Sequence, residues 1–280
     1  MEFITAISAG IIPRRRMADD MQTVSIPFTS YAESIPEALD RIGAAAVLAQ
    51  QSHILLKPNL INADPHPVTT PAACCEALVR YIRNCSEAAI VIAEGCGAPD
   101  MTTDEIFDRL GYTDLARRWD VTLVDLNSAP LRNVSRPGNR RHAAMMLPEI
   151  AFTHYLISVP VLKAHSLAAI TGALKNMMGL LPPRHYGRNG SAWRKAGFHD
   201  DLHQGIRDLN ACRPPDLSVM DASVGLAAYH LGGPCCRPPA ATIIAGQDPW
   251  EVDRRAAGLL GIDWRQIPHL KTCCQGQEAP

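Results

Sequence analysis

The residues best suited to chemistry lie in residues 155–181, a segment that is otherwise apolar. It carries Lys163, His165, Lys175 and Asn176 among aliphatic side chains. Moving an unpaired ammonium group out of water costs several kcal/mol or lowers its pKa, so charged side chains are rarely buried without a partner. A single lysine of this kind more often extends its ammonium group to solvent from the end of its element. The cluster as a whole predicts a functional site.

The lysines of this segment, together with Lys57, predict a cationic site. Converging ammonium groups repel one another unless a carboxylate or an anionic ligand compensates. Such crowding lowers an amine pKa toward neutrality, which makes Lys163 or Lys175 a candidate base or Schiff-base amine. His165 is suited to moving a proton. The predicted catalytic residues are Lys163, His165, Lys175 and Asp221.

A small anion is the predicted ligand. Thr171 and Gly172 precede Lys175 and indicate a helix N-terminus, whose free N–H groups and dipole favour a carboxylate or a phosphate. Thr171 and Lys175 are four residues apart and would share a helix face. The predicted ligand-binding residues are Lys57, Asn59, Thr70, Glu94, Thr171, Gly172 and Asn176.

A metal site is the rival interpretation. His199 and His203 are four residues apart, a spacing that places two imidazoles on one helix face, and two aspartates lie between them. A solvated polar helix start is the more ordinary interpretation of the same residues. A divalent metal therefore stays open, and the cofactor is unknown. The nine cysteines lack the spacing of a zinc or cluster site, so free thiols and no iron–sulfur cluster are expected.

Six apolar runs are predicted strands that would position these residues; they begin at His53, Ala88, Val121, Tyr155, Leu217 and Ala241. Several are nearly continuous apolar runs, which is typical of parallel strands covered on both faces. Their alternation with amphipathic helices predicts an α/β fold with a mainly parallel sheet and flanking helices, arranged as two lobes with a cleft between them. Ligands bind at the carboxyl ends of such strands. We therefore expect the strand ends at Lys57, Glu94, Lys163 and Asp221 to face one cleft.

Irregular segments suggest how the chain is divided. The predicted parts are an N-terminal arm (1–22), a first lobe (23–145), a second lobe (146–265) and a tail (266–280). The second lobe contains a long basic loop at 182–200, and loops longer than about 12 to 15 residues are usually functional or disordered. We predict that this loop is a mobile lid that orders over a bound anion. Ser34 with Glu37, and Thr102 with Glu105, predict capping boxes at two helix starts.

Composition excludes several classes of function. A net charge of -1 and 5% aromatic residues do not fit a nucleic-acid binder, and the arginine run at 14–16 is interpreted as a solvated arm. No apolar run approaches the roughly 20 residues of a membrane span, and the first residues lack the charge order of a secretory signal. We expect a cytoplasmic protein with a small anionic ligand and no nucleic-acid or membrane partner; the oligomeric state is open.

Four sequence motifs occur in a characteristic order. They are KPNL at 57–60, VPVLKAHSLAAITGALKNMMGLLP at 159–182, LSVMDA at 217–222 and AGQDPWEVD at 245–253. Together they resemble the family called domain of unknown function 362, over about residues 24–261. The resemblance implies little about function, and many relatives carry a ferredoxin-like cluster domain for which this chain lacks the cysteines. More weakly, the pairing of histidine with lysine resembles lactate racemases.

Two functions are compatible with these residues. The first is a cytoplasmic enzyme that acts on a small anionic metabolite, expected to be a carboxylate, by lysine and histidine acid–base chemistry with or without a metal. The alternative is a non-catalytic binding or accessory protein that carries an anionic cofactor or a metal. An enzyme needs a titratable group within reach of its ligand, whereas a carrier needs only fixed charges and helix caps.

Overall fold

The computed structural model describes residues 22–271. Residues 1–21 of the predicted arm, with the arginine run at 14–16, and residues 272–280 of the predicted tail lie outside the described residues. The strands are β1 (Thr23–Pro27), β2 (His53–Pro58), β3 (Ala89–Glu94), β4 (Thr122–Asp125), β5 (Leu131–Ser135), β6 (Ala144–Pro148), β7 (Tyr155–Val159), β8 (Val161–His165), β9 (Ala169–Thr171), β10 (Leu217–Leu226) and β11 (Thr242–Gly246).

Helices connect most of these strands. They are α1 (Tyr31–Arg41), α2 (Ala44–Leu48), α3 (Ala72–Cys85), α4 (Thr103–Arg109), α5 (Tyr112–Trp119), α6 (Ile150–Thr153), α7 (Ala173–Asn176), α8 (Pro183–Tyr186), α9 (Leu202–Cys212), α10 (Pro249–Leu259) and α11 (Pro268–Lys271), with 3₁₀ turns at Met177–Leu180, Ala196–Asp201 and Trp264–Gln266. None of the described helices has the length and hydropathy needed to cross a bilayer.

One large sheet organises the described part of the chain. Its order is β1-β11-β10-β7-β2-β3-β4, with β8 and β9 attached beside β10. The central strands β10, β7, β2, β3 and β4 are parallel, whereas β1 and β11 form an antiparallel edge. Each of the six predicted strands is present, and the predicted α/β class with a mainly parallel sheet is confirmed. The sequence did not predict β1, the β5–β6 hairpin or β9. It predicted one strand from Tyr155, whereas the structure divides this segment at Pro160 into β7 and β8, and Lys163 and His165 lie within β8.

The two predicted lobes are not separate in the structure, because strands from 23–145 and 146–265 share this sheet. Adjacent residues of β2 belong to different apolar clusters, Ile54 and Leu56 to one and Leu55 to the other, as expected of a strand covered on both faces. Helices α1 to α5 contribute to the first cluster, and α6 to α11 contribute to the second. The two halves of the sequence therefore supply the two helical layers of one sheet.

The two predicted capping boxes and the predicted tail can be compared with the structure. Thr102 and Glu105 form the predicted capping box at α4. The box predicted at Ser34 is wrong, because α1 begins three residues earlier and the Ser34 hydroxyl donates to the Pro27 carbonyl at 3.1 Å. The predicted tail is corrected as well, since its first residues pack in the core with Leu270 fully buried.

Candidate functional site

A cavity of about 400 Å³ lies where β2 and β3 end and β8 and β9 meet. Eight of the predicted site residues line it: Asn59, Glu94, Lys163, His165, Thr171, Lys175, Asn176 and His199. This position agrees with the rule that ligands bind outside the carboxyl ends of parallel strands. The cavity is therefore the candidate site.

Lys57 lies beneath the cavity in a closed polar network. Its ammonium group donates to Glu94 at 2.9 Å, to the Pro58 carbonyl at 3.0 Å and to the Asn176 side chain at 3.2 Å. Glu94 also accepts from the backbone N–H groups of Leu60 and Gly95. Burial lowers the Lys57 pKa, although the Glu94 carboxylate opposes the shift. Glu94 thus has its charge compensated within the protein.

Lys163 is held by neutral oxygens. Its ammonium group donates to the Asn59 side chain and to the Val68 carbonyl, both at 2.6 Å. Neither partner carries a negative charge. Burial, with a further contribution from Lys175, lowers the pKa of Lys163 to about 7. This amine therefore exchanges its proton near neutral pH, but its hydrogen bonds tie it to the cavity wall.

Lys175 differs from Lys57, Lys163 and Lys195 because its ammonium group has no hydrogen-bond or ion-pair partner within residues 22–271. It is partly buried and lines the cavity. Burial, followed by repulsion from Lys57, lowers the pKa of Lys175 to about 8. A cation that lies in an apolar setting without a partner is unfavourable. A bound anion would remove this cost.

Three imidazoles share the cavity with Lys175. His165 accepts hydrogen bonds at Nδ1 from the N–H groups of Leu167 and Ala168, both at 3.1 Å, so its Nε2 carries the proton. The His165 ring stacks on His230 at 3.9 Å. Burial and then the Lys175 charge lower the pKa of all three rings, His165, His199 and His230. These histidines are therefore neutral near pH 7.

His199 is an imidazole whose acceptor nitrogen is identified by its other hydrogen bond. Its Nδ1 lies 3.2 Å from the Lys195 carbonyl, and because a carbonyl can only accept, Nδ1 is the donor. Neutral His199 therefore keeps its lone pair on Nε2. His165 presents the opposite group, an Nε2–H donor. The cavity thus contains both a proton acceptor and a proton donor beside a free ammonium group.

The helix start at Gly172 already holds a carboxylate from this chain. Asp253 of α10 accepts from the N–H groups of Ala173 at 2.6 Å and Leu174 at 3.1 Å. A Cβ at Gly172 would lie 2.1 Å from an Asp253 oxygen. The predicted preference for an anion here is satisfied internally, so Gly172 is a packing residue and not a contact for a ligand. Thr171 lines the cavity, and its buried hydroxyl has no partner.

Residues 54–258 match the model of the family described as domain of unknown function (DUF362). The chain belongs to this family. A curated relative is the thylakoid-associated protein sll1697 from Synechocystis sp., which is 24% identical over 228 residues, or 78% of this chain and 65% of the relative. The aligned part of this chain thus spans less than two thirds of that relative.

A solved structure shares the fold of this DUF362 protein. It is the lactate racemase apoprotein from Thermoanaerobacterium thermosaccharolyticum, with a TM-score of 0.51 and 11% identity over 87% of this chain and 58% of that chain. The weak resemblance to lactate racemases noted in the sequence is therefore matched at the level of the fold. The identity is too low to transfer a reaction or residue roles.

Several predicted site residues of this family member lie away from the cavity. Asp221 is fully buried and accepts from the Tyr31 hydroxyl at 2.7 Å and from the Ser223 N–H at 2.9 Å, with His66 at 3.2 Å. Burial opposes ionisation of Asp221, but hydrogen bonds, with His66 first, lower its pKa. Thr70 donates to the Val159 carbonyl at 2.7 Å and does not reach the cavity. The expectation that all four strand ends share one cleft is thus wrong for Asp221.

The predicted histidine pair is divided between two places. His199 lines the cavity, whereas Nδ1 of His203 lies 2.8 Å from Nδ1 of His269 beside the last helix. Within residues 22–271 no group of three or more His, Cys, Asp or Glu side chains could hold a metal ion. His199 and His203 therefore do not act as one pair in the described structure. The seven described cysteines are free thiols.

The basic loop at 182–200 lies over the cavity, and it supplies residues that the sequence did not single out. Lys195 donates to the carbonyls of Gly95 at 2.6 Å and Gly179 at 3.0 Å, and burial lowers its pKa to about 8. Arg188 and Trp193 also line the cavity. Residues of this loop and Lys175 line the same cavity, whereas the mobility of the loop and its ordering over an anion stay predictions. His230, on another loop, gave no signal in the sequence.

Proposed function

We propose that this protein is an enzyme that binds a small anionic metabolite, a carboxylate in the first instance, and transfers a proton on it. The observation that carries the proposal is the unpartnered ammonium group of Lys175 in the cavity. Of the four cationic side chains in the lining, Arg188 is paired with Asp200, whereas Lys163, Lys175 and Lys195 have no carboxylate partner; the one acid, Glu94, is engaged by Lys57. An anionic ligand would compensate this excess of positive charge.

The distribution of lysine supports a chemical role for the amines. The chain has five lysines and 22 arginines. Lys57, Lys163, Lys175 and Lys195 are at or beneath the cavity, and only Lys271 lies elsewhere. Arginine keeps its charge in every protein environment, whereas a lysine amine can lose its proton when it is buried. Four of the five lysines are thus placed where a removable proton could serve the chemistry of the site.

In the proposed mechanism the ligand carboxylate pairs with Lys175 and accepts from the Nε2–H group of His165. The Nε2 lone pair of His199 then accepts a proton from the carbon next to the carboxylate, and the electron pair of the broken C–H bond moves into the carboxylate to give an enediolate. His199 afterwards returns a proton to that carbon, or a deuteron in D₂O. Lys175 stabilises the negative charge that develops as the proton leaves, because a cation in a site of low dielectric acts strongly. The basic loop excludes water while this happens.

Ligand binding tests the first half of the proposal. We expect a panel of small carboxylates and phosphates to stabilise the parent protein, and Lys175→Met to weaken binding by about 1.5 to 3 kcal/mol, the scale of a lost charge-assisted hydrogen bond. Isothermal titration and thermal melts measure both effects. Lys271→Met is the matched control, since Lys271 is exposed. Ligand-induced stabilisation that survives in Lys175→Met would contradict the anion site.

Proton transfer tests the second half and separates an enzyme from a carrier. A bound carboxylate incubated in D₂O with the enzyme should exchange hydrogen at the carbon next to the carboxylate, which proton NMR follows. His199→Gln should abolish the exchange and keep the binding. Binding without exchange by any acid of the panel would favour the alternative, a carrier or accessory protein.

We also propose a cytoplasmic location, which the free thiols support.

A further inference from the structure

Exposed apolar side chains collect at the mouth of the cavity. Within residues 22–271, four large apolar side chains are exposed: Leu167 by 57%, Tyr229 by 46%, Trp193 by 40% and Leu259 by 40%. Three of the four line this cavity, and only Leu259 does not. Single exposed apolar residues are ordinary, but a group of them around one opening marks a binding surface.

The three rim residues come from separate parts of the chain. Leu167 lies in the turn between β8 and β9, Trp193 in the basic loop and Tyr229 in the segment after β10. No local feature of sequence or secondary structure explains why they meet. Their shared position at one opening is a property of the cavity, so it bears on what the cavity holds.

Aromatic rings form a continuous path from the rim to the cationic end. Tyr229 contacts His230 edge-on with ring centroids 5.0 Å apart, and His230 stacks on His165 at 3.9 Å. Along this path exposure falls from 46% at Tyr229 to 6% at His165. Lys175 lines the same cavity, together with the buried Lys163 and Lys195. The cavity is thus cationic inside and aromatic toward solvent.

We infer that the ligand is an aromatic carboxylate, with its carboxylate at Lys175 and His165 and its ring between Tyr229, His230 and Trp193. The inference rests on the proposed function and names the substrate class of that site. A three-carbon acid would fill only a small part of a cavity of about 400 Å³, whereas pockets of this size generally enclose larger ligands with apolar walls and few polar contacts. Flat aromatic faces favour a planar ring over a flexible chain.

Three acids of equal charge test the inference by isothermal titration: propionate, hexanoate and 3-phenylpropionate. We expect 3-phenylpropionate to bind about tenfold or more tightly than propionate, with hexanoate in between. Trp193→Ala and Tyr229→Ala should each weaken 3-phenylpropionate by about threefold to tenfold and leave propionate unchanged. Leu259→Ala is the matched control, because it removes an equally exposed apolar side chain outside the cavity.

The outcomes separate this inference from the proposed function. Equal binding of all three acids, lost in Lys175→Met, would overturn the aromatic ligand and keep the anion site. Hexanoate that binds as tightly as 3-phenylpropionate would likewise overturn the aromatic ring, because a flexible apolar chain would then suffice. Binding of none of the acids to the parent protein would overturn both proposals. An affinity for 3-phenylpropionate that depends on Lys175, Trp193 and Tyr229 would support both.

Discussion

Each of the four lysines at the site has a different set of partners, and the difference decides what each can do. Lys57 faces a carboxylate, so its charge is compensated. Lys163 and Lys195 face neutral oxygens, which satisfy their N–H groups but do not balance their charge. Lys175 has neither within the described residues. It is therefore the amine that can approach a ligand without first breaking a contact.

The pH dependence of the free energy of unfolding measures the cost of keeping Lys175 protonated in the folded protein. Its folded pKa of about 8 lies below the value near 10.5 of an unfolded lysine. Between these values the unfolded chain holds more protons, so this residue makes the native state more stable as pH rises from about 8 to 10. Lys175→Met should thus stabilise the free protein at pH 7 by on the order of 2 kcal/mol, and the gain should vanish by about pH 10.5.

Urea unfolding of parent and variant at matched pH values measures this difference. Buried tyrosines and cysteines titrate in the same range, but they are present in both proteins and cancel in the comparison. Lys163 does not cancel, because the Lys175 charge lowers its pKa; relief of that repulsion in Lys175→Met adds to the stabilisation at pH 7. Lys271→Met should show a difference near zero that does not vary with pH, because Lys271 is exposed. A Lys175→Met variant that is less stable than the parent at pH 7 would show that the ammonium group is already well satisfied.

At the scale of elements, the short helix that carries Lys175 depends on a carboxylate from a distant helix. The sequence correctly indicated a helix N-terminus with a preference for an anion at Thr171 and Gly172. It could not indicate that Asp253, 80 residues after Ala173, fills that place. Burial raises the pKa of Asp253 to about 7, and the N–H groups of α7 oppose the shift. The contact holds α7, and with it Lys175, against α10.

Two glycine substitutions test this contact. Gly172→Ala should destabilise the protein by about 2 to 4 kcal/mol, because the new Cβ displaces Asp253 and leaves a buried carboxylate and two N–H groups unsatisfied. Gly258→Ala, on the same helix as Asp253, has open space around its Cβ and should be neutral or stabilise by up to about 1 kcal/mol. Chemical unfolding measures both. A Gly172→Ala variant as stable as the parent would show that Asp253 moves aside at little cost.

Elements were easier to predict than the contacts between them. Continuous apolar runs identified β2, β3, β7 and β10, because a strand covered on both faces must be apolar on both. The position of Asp221 was not predictable in this way. β10 pairs with β7 only at its first residues, and farther along, at Asp221, it pairs with β8 instead. The scarcity of lysine in the chain could have indicated that Lys195 belongs to the site as well.

At the scale of the whole molecule, the cavity is built by both halves of the chain on one shared sheet. Asn59 and Glu94 come from the first half, and Lys163, Lys175 and Lys195 come from the second. The sequence favoured two lobes because helices and strands alternate on both sides of residue 145. Periodicity shows that each half is α/β, but it does not show that β7 enters between β2 and β10. That insertion depends on long-range pairing, to which local patterns are blind.

A shared sheet has a consequence for unfolding that two lobes would not have. β2 and β7 pair along five residues. Removing either half of the chain would therefore expose the edge of the remaining strand, and it would also uncover one whole face of the sheet. The halves should therefore unfold together. We expect calorimetry to show one transition whose van't Hoff enthalpy equals its calorimetric enthalpy, and Leu55→Ala, at the centre of β2, to lower that single midpoint without splitting it. Two resolved transitions, or one half that keeps its structure after the other has melted, would support independent lobes.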